Sequence, residues 1–205
     1  MLKKVKTAVL VSGGGTNLQA LIDSRDAGKL TKADLCLVIS NNKDAYALTR
    51  ARKHGIKTEV IVKKEMSGEE FERRLFDVLA ENGIEMIVLA GFMCILSRQF
   101  TEKYKNRIIN IHPSLIPSFC GKGFYGIRVH QAALERGVKV TGATVHYVNE
   151  IPDGGEIIIQ KTVKINKSDT PESLQKRVMK NAEWIILPKA CDIAAGNILR
   201  EEKLK

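Results

Sequence analysis

The chain reads as an α/β protein, a doubly wound and mostly parallel sheet that gains a C-terminal antiparallel β segment and a helix. Three observations predict this. Short apolar runs alternate with amphipathic helical stretches from Thr7 to Ile111. The runs are apolar at consecutive positions, as in strands covered on both faces. Polar, turn-forming residues (Ser12-Gly13-Gly14-Gly15-Thr16-Asn17 and Asn110-Ile111-His112-Pro113) stand where two of these runs end. Open α/β sheets collect their ligands at that edge.

The predicted buried strands are Thr7–Ser12, Asp34–Ser40, Thr58–Val62, Glu85–Ala90 and Arg107–Ile111. Between them lie helical patterns at Asn17–Ala27, Asp44–His54, Ser67–Asn82 and Ser97–Tyr104. The third opens on a capping box, Ser67-x-x-Glu70, and stops at Gly83. Repeated strand–helix units require right-handed crossovers and a parallel sheet. After Pro117 the pattern changes. Ser118–Gly126 is a Gly-rich irregular loop, ordered or mobile, and a helix at Arg128–Arg136 follows. Val140–Val148 and Glu156–Val163 read as an antiparallel pair joined through Asn149–Gly155. Thr170-Pro171-Glu172 supplies an N-cap and a first-turn proline for a last helix reaching about Ala195. With no linker, repeat or low-complexity tract, the expectation is a single domain over residues 1–205.

At 205 residues and 44% hydrophobic content the chain can bury a full core. Its longest apolar stretch, Met86–Leu96, falls short of the roughly 18 residues of a membrane span. The first residues run straight into a strand without a signal-peptide pattern, so a cytoplasmic protein without a membrane partner is expected. The four cysteines are scattered, with no CxxC pair. They are expected to be reduced, and no metal site is expected. The net charge of +10 is spread along the chain, and only 5% of residues are aromatic. A solvated basic surface that attracts anionic substrates is expected, and nucleic acid is not.

In the first glycine loop, Gly13, Gly14 and Gly15 let backbone approach a ligand, and a helix N-terminus follows at Thr16 and Asn17. No Gly-Lys-Ser/Thr follows, so this is not a Walker loop. Leu18 replaces the third glycine of a dinucleotide fingerprint, and the next strand ends in Ser40-Asn41-Asn42 without an acidic residue for a ribose. A cradle for one phosphate fits, and so does a turn without a ligand. Asn110 and His112 are two apart on a strand and point to the same side, after which Pro113 ends the ladder. An imidazole beside a carboxamide can stabilise an oxyanion or pass a proton; the pair can equally tie a turn. Asp153 precedes Gly154 in a turn and, if it meets His112, would orient that ring and raise its pKa. His54 and His130 are expected on helix surfaces, and His146, between Val145 and Tyr147, as a structural strand residue.

Taken in order over nearly the whole chain, these segments resemble the phosphoribosylglycinamide formyltransferase family, folate-dependent enzymes of purine synthesis. The resemblance rests on Val11–Leu18, Ile39-Ser40-Asn41, Leu89–Met93 with Ile95-Leu96-Ser97, Asn110–Pro117, Thr141–His146, Asp153-Gly154-Gly155 and Asn181-Ala182-Glu183. The Asn-x-His-Pro-Ser-Leu segment is specific to the folate formyltransferase superfamily. The Ser-Gly-Gly-Gly-Thr-Asn-Leu loop narrows the choice to the small purine enzyme or a deformylase relative.

The resemblance implies a Rossmann-like formyltransferase fold with a phosphate-binding half over residues 1–105 and a folate and catalytic half over residues 106–205. It implies Asn110, His112 and Asp153 as the catalytic group. The nucleotide phosphate would lie on Gly15, Thr16 and Asn17 within the Gly13–Asn17 cradle, and Glu183 would help to hold that substrate. The pterin of 10-formyltetrahydrofolate would lie against Phe92, Met93, Cys94, Ile95 and Leu96, and against Asn110, Asn149 and Asp153. Small-molecule substrates and a monomer or homodimer are implied. Four places depart from the family pattern: Cys94 where a basic residue is common, Glu156 where proline is usual, Trp184 where histidine is common, and a longer Ser118–Gly126 loop. A 10-formyltetrahydrofolate deformylase would usually carry an extra N-terminal regulatory domain, and methionyl-tRNA formyltransferase a C-terminal RNA-binding domain. Neither is expected here, since the first strand starts close behind Met1 and the chain stops soon after its last helix. A non-catalytic phosphate-binding module is the alternative from outside enzymology.

Overall fold

The computed structural model describes residues 3–204, so Met1, Leu2 and Lys205 of the expected termini lie outside the described residues. Seven strands form one sheet: β1 (Val5–Val11), β2 (Ala33–Ser40), β3 (Lys57–Val60), β4 (Met86–Leu89), β5 (Ile108–His112), β6 (Val140–Tyr147) and β7 (Ile157–Lys164), in the order β3-β2-β1-β4-β5-β6-β7. The first five pair in parallel. β6 then runs antiparallel to β5, and β7 antiparallel to β6. The helices are α1 (Thr16–Asp26), α2 (Tyr46–Lys53), α3 (Gly68–Glu81), α4 (Arg98–Lys103), α5 (Ile127–Arg136), α6 (Pro171–Val178) and α7 (Trp184–Lys203).

Alternate residues of the central strands feed two cores, one on each face. From β1, Val5, Val9 and Val11 join a core with Leu18 and Leu21 of α1 and the apolar face of α7. Ala8 and Leu10 point the other way and pack with Phe71 and Leu75 of α3 and Phe100 of α4. Burial on both faces is why these strands lack a polar alternation.

The outer elements differ from expectation. β3 is a short edge strand with exposed or half-buried side chains, because no strand covers its outer side. Along β7, the other edge, the side chains are likewise exposed or half-buried apart from Val163. The last helical stretch does not stop at Ala195. α6 passes through a π-helical turn, Met179–Glu183, into α7, which runs to Lys203. Pro188 lies inside α7 and has no N–H to donate to the preceding turn, yet the helix continues through it. Capping also shifts: Ser67 Oγ accepts from the Glu70 amide at 3.1 Å, while Thr170 and Ser173 close a reciprocal box. Among the described residues no helix is long and apolar enough to cross a membrane. All four cysteines are free thiols.

Candidate active site

The strand ends of β4 and β5, with β6 beside them, open onto a cavity of about 690 Å³. β5 delivers Asn110 and His112 to it, and the turn after β6 delivers Asp153. Asp153 adopts φ +58, a left-handed conformation that Asp tolerates better than most residues. Gly155 lets that turn fold back, since a Cβ there would lie 1.8 Å from the Tyr147 carbonyl oxygen. The Asp153 carboxylate therefore sits between two imidazoles, 3.5 Å from His112 Nδ1 and 3.5 Å from His146 Nε2. The Gly121 amide donates to its Oδ2 at 2.8 Å. Burial pushes the Asp153 carboxyl upward, but the neighbouring His146 and His112 rings and the Gly121 amide outweigh it, leaving the carboxyl below its ordinary range.

His112 is buried, and its Nε2 lies 2.9 Å from the Phe119 carbonyl oxygen. A carbonyl only accepts, so that nitrogen carries a hydrogen, and Nδ1 is the atom facing Asp153. The Asp153 carboxylate acts on His112 in the expected upward direction, but it does not prevail. Burial outweighs the carboxylate and holds the imidazole below its ordinary pKa.

His146 lies in a strand as expected, with contacts that strand placement alone does not predict, whereas His130 lies elsewhere than expected. His146 is no mere strand residue, since it stands opposite Asn110 in the β5–β6 ladder with Nε2 3.2 Å from Asn110 Nδ2. His130 is not on the surface. It shares the buried face of α5 with Val129 and Ala133 and bounds the cavity with no partner for either ring nitrogen. Burial, then the His112 charge, push it down to about 4. His54 is half-buried, with Nδ1 2.9 Å from Asp26 Oδ2.

The walls of the cavity differ in character. On one side Asn17 Nδ2 donates to Glu183 Oε2 at 2.7 Å, while Asn17 Oδ1 is buried without a partner. The π-helical turn carries Glu183, and burial pushes its carboxyl up to about 7 against the pull of Asn17. On the other side are Phe92, Met93, Cys94, Ile95, Leu96, Asn149 and Ile151. Met93, Ile95 and Ile151 are exposed large apolar residues, whereas Phe92 and Leu96 are buried. The Met93 amide donates to Ser12 Oγ, and Asn41 Nδ2 donates to Cys94 Sγ at 3.0 Å.

The glycine loop lies beside this cavity. Gly13 O accepts from the Ala47 amide and Gly14 O from Arg50 Nε, which turns those carbonyls toward α2. Gly15 is the N-cap of α1 at φ +72, with no side-chain cap and no acidic residue in the first turn. The positive end of α1 is thus left for an anion. Lys122, Gly123, Phe124, Tyr125 and Gly126 of the loop after β5 also line the cavity, so the structure gives that loop a defined course. A larger groove of about 840 Å³ between α1 and α7 meets this region only through Thr16 and Arg50 and holds none of the converging polar groups. Among the described residues no three His, Cys, Asp or Glu side chains are grouped to hold a metal ion.

The formyl transferase family model matches residues 5–191. The chain is 45% identical over 198 residues to the trifunctional purine biosynthetic protein adenosine-3 of Gallus gallus, covering 96% of this chain but 19% of that protein. It is 41% identical over 184 residues to the phosphoribosylglycinamide formyltransferase of Haemophilus influenzae, covering 89% and 84% of the two. The solved structure of glycinamide ribonucleotide transformylase 1 from Symbiobacterium toebii superposes with a TM-score of 0.87 at 36% identity, covering 95% of this chain and 89% of that one. A parallel sheet carrying an Asn-x-His strand end, together with a family match over most of its length, places this chain in the formyl transferase family.

Proposed function

We propose that the chain transfers the formyl group of 10-formyltetrahydrofolate to the primary amine of glycinamide ribonucleotide in purine biosynthesis, acting as a single domain in the cytoplasm. The carrying observation is the Asp153 carboxylate held between His112 and His146 beside Asn110. This group lies between a polar wall and an apolar one. The polar wall suits the nucleotide. Its phosphate would take the backbone of Gly15, Thr16 and Asn17, and its other polar groups would meet Asn17 Oδ1 and Glu183. The apolar wall, Phe92–Leu96 with the Asn149–Asp153 turn, suits the flat pterin.

The amine attacks the formyl carbon, forming a C–N bond and a tetrahedral oxyanion. Asn110 donates a hydrogen bond to that oxygen. Burial holds the His112 imidazole below its ordinary pKa in the free site. As negative charge grows beside it, His112 would take up at Nδ1 the proton that the attacking amine releases, where Asp153 is placed to hold it until it passes to the folate nitrogen. The attacking amine loses a proton, the departing folate nitrogen gains one, and the carbon–nitrogen bond to the folate breaks. Asp153 would relay that proton, directly or through a water. The chemistry calls for no metal ion. Holding both reactants oriented in one cavity can supply up to about 7–11 kcal/mol of barrier reduction.

Formyl transfer measured with Asp153→Asn and His112→Ala tests the roles. Each should lower kcat by about 10²–10⁴ while the protein stays folded by circular dichroism. Near wild-type turnover in either variant would overturn its assignment. Formate release without the amine acceptor would instead mark the chain as a hydrolase.

A further inference from the structure

The geometry points to His146 as a positioning residue of the reaction: by accepting a hydrogen bond from Asn110 it fixes which end of the Asn110 amide meets the oxyanion. This rests on the reading of Asn110 given above. His146 is 1% exposed, and its Nδ1 lies 2.7 Å from the carbonyl oxygen of the next residue, Tyr147. That oxygen only accepts, so the hydrogen of a neutral ring is on Nδ1, and Nε2 carries a lone pair. The nearest group to Nε2 is Asn110 Nδ2, at 3.2 Å across the β5–β6 ladder. A lone pair there selects the NH2 end of the amide. One Nδ2 hydrogen goes to His146, and the other remains to donate elsewhere. A turned amide would put an acceptor oxygen where those hydrogens now lie, and an acceptor repels an oxyanion.

Asp153 Oδ1 stands 3.5 Å from the same Nε2, at the limit of hydrogen bonding. It takes over as partner only if His146 gains a second proton. The Tyr147 carbonyl is thus a backbone device that sets the ring, and the ring sets the amide.

The test compares His146→Phe with His146→Gln. Phe keeps a ring but offers no acceptor, whereas the Gln oxygen can stand where Nε2 does. His146→Phe should lower kcat about 10- to 100-fold, less than outright removal of an oxyanion donor, with KM for both substrates changed less than about threefold. His146→Gln should recover most of that loss. A merely structural role would instead lower Tm in both variants and leave kcat in the folded fraction alone, which would overturn the inference. Should His146→Phe fail to fold, long-range proton–nitrogen spectra of the wild-type protein at pH 7 decide. A hydrogen on Nδ1 alone supports the relay, and a hydrogen on Nε2 overturns it. Asn110→Ala separates the two levels. Full activity there would sink the oxyanion role itself; a large loss there with an unchanged His146→Phe would sink only the relay.

Discussion

Buried side chains around the cavity titrate in opposite senses, and this makes single residues testable. Glu183, pushed up to about 7 from an ordinary 4.5, keeps a proton in the folded state that the unfolded chain has lost. Its contribution is fully present below pH 4.5 and disappears as pH rises through about 7. His130, pushed down to about 4 from 6.5, refuses a proton that the unfolded chain takes. Its contribution is present above pH 6.5 and disappears as pH falls through about 4. Between these limits the two nearly cancel. Glu183→Gln removes one side, so unfolding free energy should rise with pH between 4.5 and 6.5 by on the order of 2–3 kcal/mol more than in wild type. Urea midpoints across that range check it, and an unchanged profile would refute the buried carboxyl. A second residue-scale prediction concerns Gly15. A Cβ there would sit 2.6 Å from Ala47 Cβ at a φ of +72. Gly15→Ala should cost at least about 1–2 kcal/mol in stability. It should also raise KM for the nucleotide about tenfold and leave KM for the folate alone, which steady-state kinetics would show.

At the level of elements, the strands and helices of the first half were legible because each carries its own signal. Consecutive apolar residues mark β1, β2 and β4, and the Ser67 cap marks α3. The edges were less legible, since β3 and β7 are half-exposed and the sequence does not say which strands lie outermost. The π-helical turn at Met179–Glu183 has no sequence signature, yet it carries the Glu183 that meets Asn17. Upstream of it, the Thr170–Ser173 box closes the first turn of α6, away from the cavity. Thr170→Ala should therefore lower stability by about 1 kcal/mol, read by chemical denaturation, with kcat unchanged.

Across the whole molecule, charge is the property that no single element explains. The net charge of +10 surrounds a site proposed to take an anionic nucleotide. Raising ionic strength from about 0.01 M to 0.15 M shortens the screening length from roughly 30 Å to 8 Å. KM for the nucleotide should then rise about 3- to 10-fold with kcat unchanged, and a salt-independent KM would show that the charge plays no part in capture.

The sequence by itself determined the parallel sheet, the strand end carrying Asn110 and His112, the glycine loop and the family resemblance. All of these are written in contiguous residues whose chemistry is local. Only the tertiary structure decided that Asp153 reaches His112, that His146 faces Asn110, that His130 is buried, and that Asn17 grips Glu183. Asn17 and Glu183 lie 166 residues apart, and the register of β5 against β6 rests on packing of the whole sheet. The protonation of the site follows from the same cause. A carboxylate beside an imidazole raises its pKa, but burial, which exists only in the folded chain, outweighs Asp153 and holds His112 below its ordinary range.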